Sequence, residues 1–488
     1  MSSDLKRDSR RAVVWDIFGT LSTQGVSFGV SIVLSWLLDP AEFGIVGMAM
    51  AFIAISHSFI DAGFASALIQ SQEATDDTFS SVFLINIGLA VALLAAFYAG
   101  APYIADFYGE PELRPVVRWL AIGMVITALG IVQDTLLQKA LRFKELTLRR
   151  IVAGLSSAVV GVGMAYAGYG VYALVGQHLT LAAVSTIMLW SVSGWTPNWR
   201  YDSGEVRKIW GFGSYVFLSG MLANIITRID ILMIGKVFSA ATLGFYARAE
   251  SLNNLVGRYT SNTLKKVFFP VLSKIQGDPV QFERVYLKVL ALASVLVFFL
   301  AGGLVLAGDF LILTVFGEKW APSAVIFQIL MLKIFTYPIS SIVLNAMLST
   351  GRAKELFWSN NVTRVLRIGG WAVAFYYGFY PYLWTVVIIN IIATIYYSGV
   401  VDRTVGVSLW KQTKAIYAFA LVFVAAMAVA WPLKQVVEHA LTGVIVSGLA
   451  FAVVYVLITY LTHPTLSRLA QHEVLQLAGG LRRRANRK

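Results

Sequence analysis

Apolar residues in this chain do not alternate with polar ones at a strand or surface-helix period. They run together in fourteen stretches of roughly 20 residues, divided by short polar breaks. The stretches lie at 17–38, 44–64, 81–104, 117–137, 150–168, 171–192, 209–235, 244–264, 286–308, 322–348, 358–378, 381–400, 415–432 and 441–461. A hydrocarbon layer about 30 Å thick takes about 20 helical residues to cross, so each stretch predicts one spanning helix. The predicted class is an all-α integral membrane protein with about 14 transmembrane helices.

Composition agrees: with 58% hydrophobic and 13% charged residues among 488, too little polar sequence remains for a water-facing surface. Charge then orients the chain. Thirty of the 39 Lys and Arg residues fall in the termini and alternate connections on one side, five on the other, and four within spans. Cytoplasmic loops retain basic residues, so both termini and the connection 194–208 are predicted to be cytoplasmic. The net charge of +13 is explained by this retention and by attraction to anionic lipid, and no basic domain for nucleic acid forms. Cysteine is absent, which excludes disulfides, thiol catalysis and Cys-ligated metal. The first stretch has no small-residue cleavage site and runs directly into a second span, predicting an uncleaved anchor. Trp15, Trp36, Trp119, Trp190, Trp210, Trp358 and Trp431 sit near span ends, as interfacial indoles do.

Sliding the sequence by 200 residues places Leu38-Asp39-Pro40-Ala41-Glu42-Phe43-Gly44 over Phe238-Ser239-Ala240-Ala241-Thr242-Leu243-Gly244, with a long apolar stretch on either side of each copy. Ala41/Ala241, Gly44/Gly244 and Ala49/Ala249 are identical. Both copies start on the same side, so the repeat is parallel, with its axis along the membrane normal. The expected organisation is an N-terminal lobe at 1–193, a linker at 194–208, a C-terminal lobe at 209–400, two additional spans at 401–462 and a basic cytoplasmic tail at 463–488. The two six-helix lobes are expected to be pseudo-symmetric around a central cavity.

Leu38-to-Gly44 (LLDPAEFG with Leu37), DAGFASALIQ (Asp61–Gln70), LLQKALRFKEL (Leu136–Leu146), RIDILMIGKVF (Arg228–Phe238), LGFYARAESL (Leu243–Leu252) and KKVFFPVLSKIQGD (Lys265–Asp278) together resemble the polysaccharide-transporter branch of the multidrug/oligosaccharidyl-lipid/polysaccharide exporter superfamily. The similarity is to Wzx-type flippases, colanic-acid and teichuronic-acid exporters among them, and covers about residues 10 to 430. Order and spacing carry it, not any one motif. The resemblance implies a MATE- and MurJ-like fold and alternating-access flipping of undecaprenyl-pyrophosphate-linked oligosaccharide repeat units. It also implies a place in the bacterial inner membrane for exopolysaccharide or O-antigen synthesis, a polysaccharide polymerase and a chain-length regulator as partners, and a functional monomer.

A charge at the bilayer centre costs about 2.5–3.5 kcal/mol on insertion scales, so such residues face a cavity or a partner. In the second lobe these are Arg228, Asp230, Arg248, Glu250, Arg258, Lys333, Arg364 and Arg367; in the first, Asp16, His57, Asp61, Asp134 and His178. Guanidinium groups suit phosphate because they donate paired hydrogen bonds. Arg258, Lys333, Arg228, Arg248 and Arg364 are therefore candidates to hold the pyrophosphate. The competing account is internal pairing: Arg228 with Glu250 and Asp230 with Arg248 lie at matching depths, whereas Arg258 and Lys333 match no carboxylate. His57 and Asp61 share a helix face and, with Asp230 and Glu250, are candidates for coupling or gating by Na+ or H+; Asp61 suits a helix-end anchor equally. Gln24, Asn224 and His178 are candidate glycan contacts or helix-to-helix hydrogen bonds.

No metal site, cofactor motif or catalytic constellation is expected. The glycine runs at 161–170 and 211–213 lack the Lys-Ser or Lys-Thr of a phosphate loop and predict close helix packing. A cation-coupled drug exporter of the same superfamily is the alternative, disfavoured because the intramembrane excess is basic. A membrane-embedded polymerase or acyltransferase is more distant, since the outer loops are short and the five histidines dispersed.

Overall fold

The computed structural model describes residues 3–437 and 440–462; of these, the side chains at 3–14, 16–18, 21, 258–267 and 440 lie outside the description, as does the predicted tail at 463–488. Every described element is helical. The α-helices are α1 (Ser3–Leu37), α2 (Pro40–Asp61), α3 (Phe64–Gln70), α4 (Asp76–Tyr108), α5 (Leu113–Ala128), α6 (Ile131–Lys139), α7 (Phe143–Tyr166), α8 (Val171–Ser193) and α9 (Ser203–Val237). They continue as α10 (Ala240–Lys274), α11 (Pro279–Phe316), α12 (Ala321–Met331), α13 (Thr336–Ser349), α14 (Ala353–Tyr377), α15 (Phe379–Val405), α16 (Leu409–Val436) and α17 (Ala440–Thr462).

Among the described residues, ten helices or closely joined pairs are long and apolar enough to cross a membrane, and eleven when the bent pair α5–α6 is one span. The sequence reading of fourteen adds α1, α10 and α14. These are also long helices, of 35, 35 and 25 residues; Arg248, Glu250 and Arg258 in α10 and Arg364 and Arg367 in α14 dilute their apolar character, and parts of α1 and α10 lie outside the described side chains.

The chain divides into two compact units, Met1–Ala247 and Arg248–Lys488, with the boundary inside α10. In the first, α1 packs on α7, α7 on α8, α4 on α5, and α2 on α4, α5, α8 and α9. Helix α9, placed in the second lobe by the repeat, here packs on α2, α3 and α4. Its first turn is tied to α4 by Thr78 Oγ1, which donates to Glu205 Oε2 at 2.5 Å. The expected linker is correspondingly short and held down: Asn198 N donates to Ser80 Oγ at 3.1 Å, Asp202 N to Ser81 Oγ at 2.8 Å, and Trp195 lies edge-on to Phe79 and Phe83.

The motif residues start and turn helices. Asp39 is the N-cap of α2, Pro40 occupies its first turn, and Asp39 N donates to Glu42 Oε2 at 2.7 Å, a capping box. Two hundred residues later Ser239 Oγ accepts from Thr242 N at 3.1 Å, the same cap with different side chains. Glycine is required four residues further on in both copies. A Cβ on Gly44 would overlap the Ala240 carbonyl, and one on Gly244 would overlap the Pro40 carbonyl. The shift of 200 carries each contact onto the other, as a two-fold relation between the turns requires. In DAGF, the α2–α3 turn needs Gly63 at φ +76, where it lies against the Gly213 backbone of α9.

In the second unit α11 is central, packing on α12, α13, α16 and α17, while α15 packs on α13 and α14. Tyr286 OH donates to Gln412 Oε1 at 2.9 Å, and Gln412 Nε2 donates to the Ser398 and Val407 carbonyls, a buried node joining α11, α15 and α16. The last pair is docked, not appended: Tyr455 OH donates to the Val295 carbonyl at 2.9 Å, and Phe451 fills the space opposite Gly302.

Candidate functional site

Two spans break near mid-membrane, and the breaks decide where polar side chains go. Span 4 breaks at Leu129 and Gly130, freeing carbonyls that hydrocarbon cannot satisfy. Helix α8 supplies the donors: Trp190 Nε1 reaches the Leu129 carbonyl at 2.8 Å, and Thr186 Oγ1 the Ile126 carbonyl at 2.8 Å. Trp190, read from sequence as an interfacial belt residue, is thus a clamp on this break.

Span 10 breaks at 332–335, between α12 and α13. One stripe of α10 holds it: Glu250, Asn253 and Gly257, spaced three and four residues apart, face the same side. Asn253 Nδ2 donates to the Leu330 carbonyl at 2.7 Å, Glu250 Oε2 lies 3.3 Å from Lys333 Nζ, and Gly257 leaves room for the Tyr337 ring. Lys333 is 1% exposed. This corrects the sequence reading, in which Lys333 matched no carboxylate and Glu250 belonged with Arg228. Matching by depth along straight spans paired Glu250 with Arg228 and so missed its approach to Lys333 at the break.

Arg248 is also buried, its guanidinium 4.9 Å from the ring centroids of both Phe316 and Trp320. Two aromatic faces hold a cation firmly through their quadrupoles. Asp230 is buried in α9 and Arg228 half-buried two residues before it. The Arg258 side chain lies outside the described residues.

Arg364 is different. It is half-buried on α14, its Nη1 donates to Asn361 Oδ1 at 3.2 Å, and no carboxylate lies within 4 Å of it among the described residues. Around it, Tyr397 OH of α15 donates to Asn360 Oδ1 at 2.7 Å and lies 3.0 Å from Thr363 Oγ1. Sequence reasoning missed Asn360, Asn361, Thr363 and Tyr397. The available signal was the i, i+4 spacing of Asn360 and Arg364 within a polar cluster on a predicted span.

Among the first-unit candidates, Asp61 and Asn224 make structural contacts. Asp61 Oδ1 accepts the Ala65 N–H at 3.0 Å and caps α3, with His57 half-buried one turn earlier. Asn224 Nδ2 donates to Ser58 Oγ at 2.7 Å, joining α9 to α2. Asp134 takes Arg149 at 2.5 Å, and Lys139 caps α3 by donating to the Leu68 and Ser71 carbonyls. Gln24 and His178 are half-buried on α1 and α8, and Gly161 in the glycine run faces Gln177 at packing distance. An apolar cavity of about 360 Å³ in the second unit, lined by Phe298, Phe335, Trp384, Ile391, Ile416 and Phe423, suits hydrocarbon and not a charged head group.

These features define a multi-pass membrane protein built from two helical units. The fold is that of the lipid II flippase MurJ in its inward closed conformation, with a TM-score of 0.73 over 92% of this chain and 99% of that one at 15% identity. An inward-facing MATE-family multidrug resistance transporter of the MOP superfamily gives 0.59 over 80% and 94% at 16% identity. The chain belongs to the polysaccharide biosynthesis protein family, whose model matches residues 33–325. Among curated relatives it is 28% identical to the teichuronic acid biosynthesis protein TuaB of Bacillus subtilis (strain 168), over 62% of this chain and 63% of that protein. It therefore spans just under two thirds of that relative's length. It is 23% identical to the succinoglycan biosynthesis transport protein ExoT of Rhizobium meliloti (strain 1021), over 94% of each. It is 24% identical to the lipopolysaccharide biosynthesis protein WzxC of Escherichia coli (strain K12), over 65% of each.

Proposed function

We propose that this protein is a flippase that carries undecaprenyl-pyrophosphate-linked oligosaccharide repeat units across the bacterial inner membrane for exopolysaccharide or O-antigen assembly. The observation that carries the reading is the match over 94% of the chain to a succinoglycan biosynthesis transport protein, on a fold shared with a lipid II flippase. The intramembrane cations support it. A diphosphate head group needs positive charge, and Arg364 and Arg228 are half-buried arginines of predicted spans with no ion pair among the described residues. The drug-exporter alternative rests on a likeness of fold alone.

Both termini on the cytoplasmic side, a monomeric working unit, coupling to Na+ or H+ and hand-over to a polymerase with its chain-length regulator complete the proposal. Deleting the gene is expected to stop polymer export and to leave lipid-linked repeat units accumulated in the inner leaflet. They would then be protected from an impermeant glycan-oxidising reagent in spheroplasts. Repeat units that remain accessible to the reagent would refute a flipping role.

A further inference from the structure

We propose that Arg364 and Asn360, with Tyr397 and Asn361 behind them, form a phosphate receptor in the second unit. The inference rests on the flippase reading for the source of its ligand. It goes beyond that reading by assigning one built anion site and its supporting residues.

Three observations carry it. First, depth: Arg364 is about 17 Å along α14 from Ala353 at 1.5 Å per residue, against α15, a helix apolar enough to cross the membrane. A guanidinium there is stable only where water, a partner or an anion reaches it. Second, the absence of a carboxylate within 4 Å among the described residues: two other intramembrane cations of the second unit are held, Lys333 beside Glu250 and Arg248 against two aromatic rings, whereas Arg364 donates to a neutral amide oxygen.

Third, the balance of donors and acceptors. Asn361 Oδ1 accepts from Arg364, and one N–H of Asn361 Nδ2 donates to the Phe357 carbonyl at 3.0 Å, which fixes the amide's orientation because a guanidinium only donates. Asn360 Oδ1 accepts from Tyr397 OH, and Thr363 Oγ1 donates to the Asn360 carbonyl at 2.9 Å. Each side-chain amide oxygen in the cluster thus already holds a donor. The N–H donors left over are the rest of the Arg364 guanidinium, Asn360 Nδ2 and the second N–H of Asn361 Nδ2. A half-buried site that combines one fixed positive charge with spare N–H donors favours a phosphate oxygen over a neutral hydroxyl or a cation. Tyr397 and Asn361 are positioning residues, holding the amide and the guanidinium in place.

The phosphate could come from a polyprenyl pyrophosphate or from an anionic phospholipid of the bilayer, and the test separates them. Full-length protein in phosphatidylcholine nanodiscs is titrated with undecaprenyl pyrophosphate and, separately, with phosphatidylglycerol, following intrinsic tryptophan fluorescence. Arg364→Gln is expected to weaken pyrophosphate binding about 10- to 100-fold, the effect of losing a charge-assisted contact. Arg364→Lys should recover part of it, and Tyr397→Phe should weaken it several-fold while the protein melts at an unchanged temperature. Equal weakening for both lipids identifies a general lipid-phosphate site; weakening for the pyrophosphate alone identifies the substrate site. Unchanged binding of both in well-folded Arg364→Gln overturns the proposal. Flipping that persists in that variant leaves the flippase reading standing, whereas wild-type protein that binds pyrophosphate at Arg364 but moves no lipid retains the site and removes the function.

Discussion

Glu250→Gln is expected to cost about 3–5 kcal/mol of stability. Lys333 is 1% exposed, and its ammonium lies 3.3 Å from the Glu250 carboxylate at the break between α12 and α13. Removing the carboxylate takes a counterion from an ammonium in a low-dielectric setting. The isosteric amide keeps the packing, so the loss reports charge alone. Removing both charges with Glu250→Gln and Lys333→Met should recover most of the stability, because a buried pair replaced by neutral groups is often neutral in cost. Thermal unfolding in detergent, followed by loss of monodisperse protein, measures all three variants. If Glu250→Gln melts like the wild type, the pair does not hold the break.

Gly44→Ala and Gly244→Ala are expected to destabilise by the same amount, about 1–3 kcal/mol each, because either Cβ enters the space of a carbonyl across the α2–α10 crossing. Backbone, not a flexible side chain, is what would have to move. The double substitution should cost clearly less than the sum, since the first already opens the contact that the second would strain. Equal singles with a sub-additive double are the signature of a two-fold-related contact. One silent and one disruptive glycine would contradict it.

The apolar periodicity made the helices legible because hydrocarbon leaves the backbone few alternatives. Periodicity alone did not show where they break, although Gly130 sits in one break and Pro338 follows the other. Leu332, Lys333, Ile334 and Phe335 include no proline or glycine, yet the helix stops there, stabilised by Asn253 and Thr336 reaching the freed carbonyls at 2.7 and 2.6 Å. The fate of Lys333 depends on that break, so depth-matching along straight helices paired Glu250 with the wrong cation. The repeat was legible for a related reason: few identities survive because the chemistry tolerates exchange. Asp39 and Ser239 both cap a helix, whereas the close approach at Gly44 and Gly244 tolerates no other residue. For the candidate site, sequence located Arg364 as an intramembrane cation. It could not reveal that Tyr397, 33 residues away on another helix, engages Asn360.

The central claim is transport of a lipid-linked glycan, and flipping in a purified system measures it most directly. The protein is reconstituted into proteoliposomes containing an undecaprenyl-pyrophosphate oligosaccharide labelled on its sugar with a fluorophore, and external dithionite is added with and without an imposed Na+ or H+ gradient. Wild-type protein should expose nearly all the label to the reductant within minutes, and Arg364→Gln at equal reconstituted amounts should do so at least tenfold more slowly. Label that stays half-protected with the wild-type protein, as in empty liposomes, under either gradient would contradict the account.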